Sequence, residues 1–144
     1  MRGYVLLVAS AALVAALAAA APAAAEGKRV VTFAFSPTDP ARVSFFDPCA
    51  LGGEGESVQL VGGTARTLVG SNDPGRLYQV TYVGVVGVGL TSGADYTVAY
   101  RERHAYQHDV HTFEATLVAT GGGTVYTRED RQTEEGLVTT ESCG

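Results

Sequence analysis

The chain has 144 residues, 46% of them hydrophobic, and a formal charge of −5. An acidic chain of this kind repels a phosphate backbone, so bulk electrostatics argue against a nucleic-acid partner. Once an apolar leader is set aside, its size suits one domain.

Residues 1–25 contain 21 apolar side chains. Arg2 supplies a short positive start, Tyr4 to Leu17 an apolar run, and Ala20-Ala21-Pro22-Ala23-Ala24-Ala25 the small residues that a signal peptidase reads. This is the pattern of a signal peptide cleaved after Ala25. A membrane anchor is the competing reading, but the last third of the run is nearly all Ala, which is only weakly hydrophobic. Cleavage leaves 119 residues with 45 apolar and a charge of −6, and no second span long enough to cross a membrane as a helix. The expected product is secreted and extracellular: one all-β domain over 26–144, with a long Pro-containing loop at 36–56.

Cys49 and Cys143 are the only cysteines. An even count in an exported chain predicts one disulfide, and two isolated cysteines lack the paired spacing of zinc motifs. The bridge would close a loop of about 94 residues, worth roughly 4–5 kcal/mol by restricting the unfolded chain.

The body alternates with period two. Val31-Phe33-Phe35, Val58-Leu60, Tyr78-Val80-Tyr82, Tyr96-Val98-Tyr100, Phe113-Ala115-Leu117, Val125-Thr127 and Leu137-Thr139 each place their residues on one strand face. Gly62-Gly63, Asn72-Asp73-Pro74-Gly75, Ser92-Gly93-Ala94-Asp95 and Gly121-Gly122-Gly123 read as hairpin turns between them. Gly84 to Leu90, with no polar residue, reads as a buried strand with glycines at close approaches. An antiparallel meander of about seven or eight strands follows. A closed barrel is favoured over a two-sheet sandwich, because closure removes exposed edges.

Asp47-Pro48-Cys49, the glycine–glutamate steps at Gly53-Glu54 and Gly55-Glu56, and Val58-Gln59-Leu60-Val61-Gly62 resemble a pattern in uncharacterised exported actinobacterial proteins. Gly87-Val88-Gly89-Leu90-Thr91-Ser92-Gly93-Ala94-Asp95-Tyr96 is similar to a second segment of those proteins, and Glu141-Ser142-Cys143 to their final strand. The resemblance spans roughly residues 45–143. It implies an all-β exported domain with its cysteines paired, and it implies no activity. The chain departs from the pattern in the residues inserted between Cys49 and Glu56, in Asp47 where the pattern has Asn, and in the charged stretch 101–111.

Chemistry concentrates in that stretch, where His104, His108 and His111 lie within eight residues. With Gln107-His108 as a hairpin tip, His104 faces His111, Tyr106 faces Asp109 and Glu102 faces Phe113. The two imidazoles would then hold a divalent metal with Glu102 or Asp109, or form a pH-sensitive pair. The plainer alternative is a solvated hairpin with incidental histidines. No serine sits in a nucleophile elbow. The carboxylate pairs Glu54/Glu56, Glu129/Asp130 and Glu134/Glu135 read as solvated turns, and the glycines fit no cofactor motif. Tyr78 and Tyr82 share one strand face, and Tyr96 and Tyr100 another. They would either line a ligand pocket or fill the core. The leading expectation is a non-enzymatic barrel binding a small apolar ligand or a cell-surface partner, with no cofactor. The alternatives are a metal-dependent protein or enzyme using the histidines, and a structural envelope component. The sequence does not set the oligomeric state.

Overall fold

Alternating apolar residues need a common surface to bury them, and here they find it in a single sheet. A computed structural model describes residues 28–38, 42–72, 75–107 and 110–144, the side chains of 71, 72, 75 and 76 excepted. The expected signal peptide, 1–25, lies outside the described residues. Eight strands follow in order: β1 (Arg29–Ala34), β2 (Ser44–Asp47), β3 (Glu56–Asn72), β4 (Gly75–Gly89), β5 (Asp95–Gln107), β6 (Val110–Gly121), β7 (Thr124–Thr133) and β8 (Gly136–Cys143). From β3 to β8 each strand pairs antiparallel with the next. β1 and β2 share the outer edge of β3: β1 lies along Thr64–Val69 and β2 along Glu56–Gln59. The Pro-containing loop is therefore shorter than expected, since it contains β2 and a 3-10 turn at Leu51–Gly53.

Gly62-Gly63 is a bend rather than a hairpin turn, because β3 runs through it. The β3–β4 ladder shifts register on both sides of Gly62, and the β4–β5 ladder shifts between Thr81 and Val85. Gly63 at φ +87° and Gly84 at φ +59° adopt the left-handed backbone that such bulges use. A side chain on Gly63 would begin 2.5 Å from the Cα of Val85, so the two bent strands touch backbone to backbone.

These bends divide the sheet into two ends. At the closed end (56–60, 85–89, 95–98, 117–121, 124–128 and 141–143, with β2) lie Val58, Leu60, Val85, Tyr96, Val98, Ala119, Tyr126 and Cys49, the buried core. At the open end, with β1, strands expose apolar residues on both faces, among them Val30, Val31, Phe33, Val69, Tyr78, Leu137 and Val138.

The expected barrel is not formed. β1 and β8 are the two ends of the hydrogen-bonded path, and no ladder joins them among the described residues. One reason is that the first edge is split between two short strands. At the closed end a covalent link stands where a ladder would be: Cys49, just after β2, bonds Cys143 of β8 with Cα atoms 5.6 Å apart. The expected disulfide is present, and it clasps the two edges of one open sheet.

Candidate functional site

The strand registers place a band of aromatic side chains on the face that carries the core. Phe33 of β1 and Phe35, just after the strand, meet edge to face at 5.4 Å, and Phe35 meets Tyr82 at 5.1 Å. Tyr82 lies 4.9 Å from Tyr100. One step toward the open end, Tyr78 pairs with His104 and His104 with Phe113. Their rings are 5.6 and 4.7 Å apart. Beyond them Tyr106 stacks on His111 at 4.4 Å. The ligand set expected from the sequence therefore divides. Tyr78, Tyr82 and Tyr100 share one face of the sheet. Tyr96 is 1% exposed in the core, with its hydroxyl bound to Glu56, and presents nothing to a ligand.

The hairpin after β5 turns one residue later than expected, pairing Gln107 with Val110. His104 therefore lies opposite Phe113, and Tyr106 opposite His111, so His104 and His111 are diagonal neighbours. They still touch: His104 Nδ1 and His111 Nε2 are 3.0 Å apart. Ring planes within 4° and centres 5.3 Å apart put both nitrogens nearly on the line between the rings. The other nitrogen of His104, Nε2, contacts Glu102 Oε1. A carboxylate only accepts, so Nε2 carries the proton, and Nδ1 of a neutral His104 accepts from His111 Nε2–H. Tyr100 donates its hydroxyl to Glu102 Oε2 at 2.5 Å. Burial, then this bond, push the Tyr100 hydroxyl well above its ordinary value. Burial first and the Glu102 charge second also raise Tyr82.

The result is a hydrogen-bonded chain, Tyr100–Glu102–His104–His111, running from half-buried sheet to solvent. Glu102 holds the far side of His104, so it does not converge with His111 as the sequence suggested. The described residues contain no group of three His, Cys, Asp or Glu placed to hold a metal ion. His108 and Asp109 lie outside the described residues. On β7 and β8 the same face continues with Arg128 bonded to Asp130, Thr139 to Asp130 and Tyr126 to Glu141. Burial alone would raise Asp130, but the bonds from Thr139 and Arg128 outweigh it and hold the carboxyl below its usual range.

The closed end holds polar residues that sequence reasoning left as turns. Glu56 is 3% exposed and accepts from Thr91 N–H, Ser92 N–H, the Ser92 hydroxyl and the Tyr96 hydroxyl. The Ser92 bonds, above all its backbone N–H, hold Glu56 below the usual carboxylate range against the opposing effect of burial. Asp47, opposite Glu56 in the β2–β3 ladder, is fully buried and accepts from Cys49 N–H at 2.8 Å through Oδ1. Gly89 packs against the Glu56 carboxylate and Gly87 against Val58, which are the close approaches the glycine run predicted. The signal that pointed to this knot was the Asp-Pro-Cys and Gly-Glu pattern.

A hollow of about 360 Å³ lies along β6–β8, lined by Glu114, Thr116, Glu129, Asp130, Arg131 and Thr140 among others. Its lining is mainly polar and includes none of the four tyrosines. No protein-family model, curated protein or solved structure matches the chain.

Proposed function

We propose that the chain is an exported, non-enzymatic β-domain whose core-side face binds, at the open end, a small apolar ligand or the apolar part of a cell-surface partner. The observation that carries this reading is the continuation of the core's aromatic band into solvent. Phe33 is 46% exposed, Tyr78 36% and Tyr106 46%, on the face that buries Tyr96 and Tyr126 at the closed end. A contiguous apolar surface with hydroxyl and imidazole handles is the usual make-up of a binding face. Export is supported by the leader-like residues 1–25 and by the disulfide, which belongs to oxidising compartments. Kinship with the exported actinobacterial proteins is supported by the role of the shared residues. Cys49, Glu56, Gly87, Gly89, Tyr96 and Cys143 lie together at the closed end, linked by the disulfide, the Glu56–Tyr96 bond and the close packing of the two glycines. The reading as a metal-dependent protein or enzyme has a narrower basis, the contact between His104 and His111.

The test uses the fluorescent apolar probe 1-anilinonaphthalene-8-sulfonate on the oxidised protein. Fluorescence rises several-fold with the native protein, and most of the rise is lost in the double variant Tyr78→Ser/Tyr106→Ser while its melting temperature stays close to native. No rise, or a rise the double variant leaves unchanged, overturns the binding reading and leaves a structural envelope role.

A further inference from the structure

Among the described residues β1 pairs only with β3, which leaves its outer side as a sheet edge of unusual chemistry. Natural sheets blunt such strands with charge, proline or cover. β1 reads Arg29-Val30-Val31-Thr32-Phe33-Ala34, with its single charge at the first residue. Val30 is 51% exposed, and Val31 and Phe33 are each 46% exposed.

The ladder to β3 tells which groups face outward. Phe35 donates its N–H to Gly63. In an antiparallel pair, bonded positions alternate, so Phe33, Val31 and Arg29 also turn their backbone toward β3. The N–H and C=O groups of Val30, Thr32 and Ala34 therefore point away from the sheet. A second strand must use those three residues as its bonded positions. If that strand is β1 of another copy, running antiparallel, one register satisfies all of them: Thr32 opposite Thr32, and Val30 opposite Ala34 in both directions. Each bonded pair exchanges two hydrogen bonds.

The same register sets the side chains. Val31 falls opposite Phe33 of the other copy on the core-side face, an aromatic and β-branched pair, and Thr32 faces Thr32 on the other face. Both pairings are favourable across strands. The two Arg29 side chains end up at opposite ends of the shared ladder. The other edge, β8, is less suited to self-pairing, because acids flank both its ends: Glu134 and Glu135 before it, Glu141 near its close.

We propose that the protein forms a two-fold symmetric dimer through β1, antiparallel and centred on Thr32, continuing the sheet from one copy into the next. The contact is isologous, so it closes at two copies. This inference stands apart from ligand binding.

Sedimentation equilibrium of the oxidised mature protein at high micromolar concentration tests it. The native protein gives twice the chain mass. Thr32→Lys alone and Thr32→Glu alone each give a single chain mass, because each sets like charges directly across the axis. An equal mixture of the two returns to the double mass, which happens only where residue 32 faces itself. Thr32→Pro, which removes an outward N–H without breaking the β3 ladder, also gives a single chain mass. A native protein of single mass overturns the proposal. So does a mixture that stays monomeric while both variants melt like the native protein, or association that survives Thr32→Lys, which would place the contact at β8 or on a sheet face.

Discussion

A carboxylate buried at the first residue of a strand needs donors, and Glu56 takes them from a turn 35 and 36 residues away. The N–H groups of Thr91 and Ser92 both point at this acceptor, in a turn that the Gly93–Gly89 and Gly89–Ala94 backbone bonds close. The bond to Tyr96 then locks the β4–β5 connection to the core. An ordinary glutamate titrates near 4.5, and these donors hold Glu56 lower in the folded state. Its contribution to stability is therefore complete above about pH 4.5, and is lost as the pH falls through the lower folded-state value. Glu56→Gln turns part of the acceptor into a donor facing other donors. We expect its melting temperature at pH 7 to drop by several degrees, and the acid-side fall in melting temperature to become shallower than in the native protein. Thermal melts of both proteins from pH 7 to pH 3 check both effects, and parallel curves would show that Glu56 is not the group responsible. The Gly-Glu step was visible in the sequence. Its burial was not, because the residues that satisfy it are distant in the chain and adjacent only after β3, β4 and β5 pair.

Apart from β2, which lay in the expected loop, strand identity was legible from alternation, since residues such as Val58 and Leu60, or Tyr96 and Val98, bury the same face as their spacing requires. Glycine punctuation was more ambiguous. Gly121-Gly122-Gly123 is a hairpin turn, with Gly122 at φ +58° and Gly123 at φ +82°, as two-residue turns of the twisted type require. Gly62-Gly63 is also a glycine pair, with Gly63 alone at positive φ, yet it bends a continuous strand. A local sequence cannot distinguish the two, because the choice depends on whether the chain reverses or meets a second bend at Gly84. The hairpin of the histidine stretch was misplaced for a similar reason: its register is set by the ladder of β5 with β6, not by its tip. The two glycine sites are separable by experiment. Gly123→Ala meets no atom within 4 Å and bears only the cost of a left-handed backbone, about 1–2 kcal/mol. Gly63→Ala carries that cost and also drives Cβ into the backbone of Gly84 and Val85. Chemical denaturation should therefore show Gly63→Ala losing clearly more than Gly123→Ala, with an increased fraction unfolded on expression. Equal losses would mean that β3 and β4 can part at the bend without penalty.

At the scale of the whole molecule, a sheet with two edges is held together unevenly. The closed end has the core, the Glu56 knot and the Cys49–Cys143 clasp. The open end has ladders with exposed residues on both faces. The closed sheet anticipated from strand count was beyond what alternation can establish, because closure depends on whether the first and last strands meet, and here a split first edge and a disulfide decide it. Stability should follow the same gradient. Amide hydrogens of 58–60, 85–89 and 96–98 should exchange slowly, close to the rate set by global unfolding, while those of 66–70 and 101–106 on the same strands exchange faster. The clasp spans 94 residues, so the chain-entropy model assigns it roughly 4–5 kcal/mol. Without it, β2 and β8 lose their only covalent tie and the closed end becomes a second free pair of edges. Cys49→Ser/Cys143→Ser should lower the melting temperature by more than about 10 °C, given the few degrees that each kcal/mol moves a domain of this size. It should also raise exchange at 58–60 and 96–98 far more than at 101–106, flattening the gradient along each strand. If the double variant instead accelerates both ends equally, the disulfide stabilises the chain only through its unfolded state, and the sheet at the closed end holds its shape by packing alone.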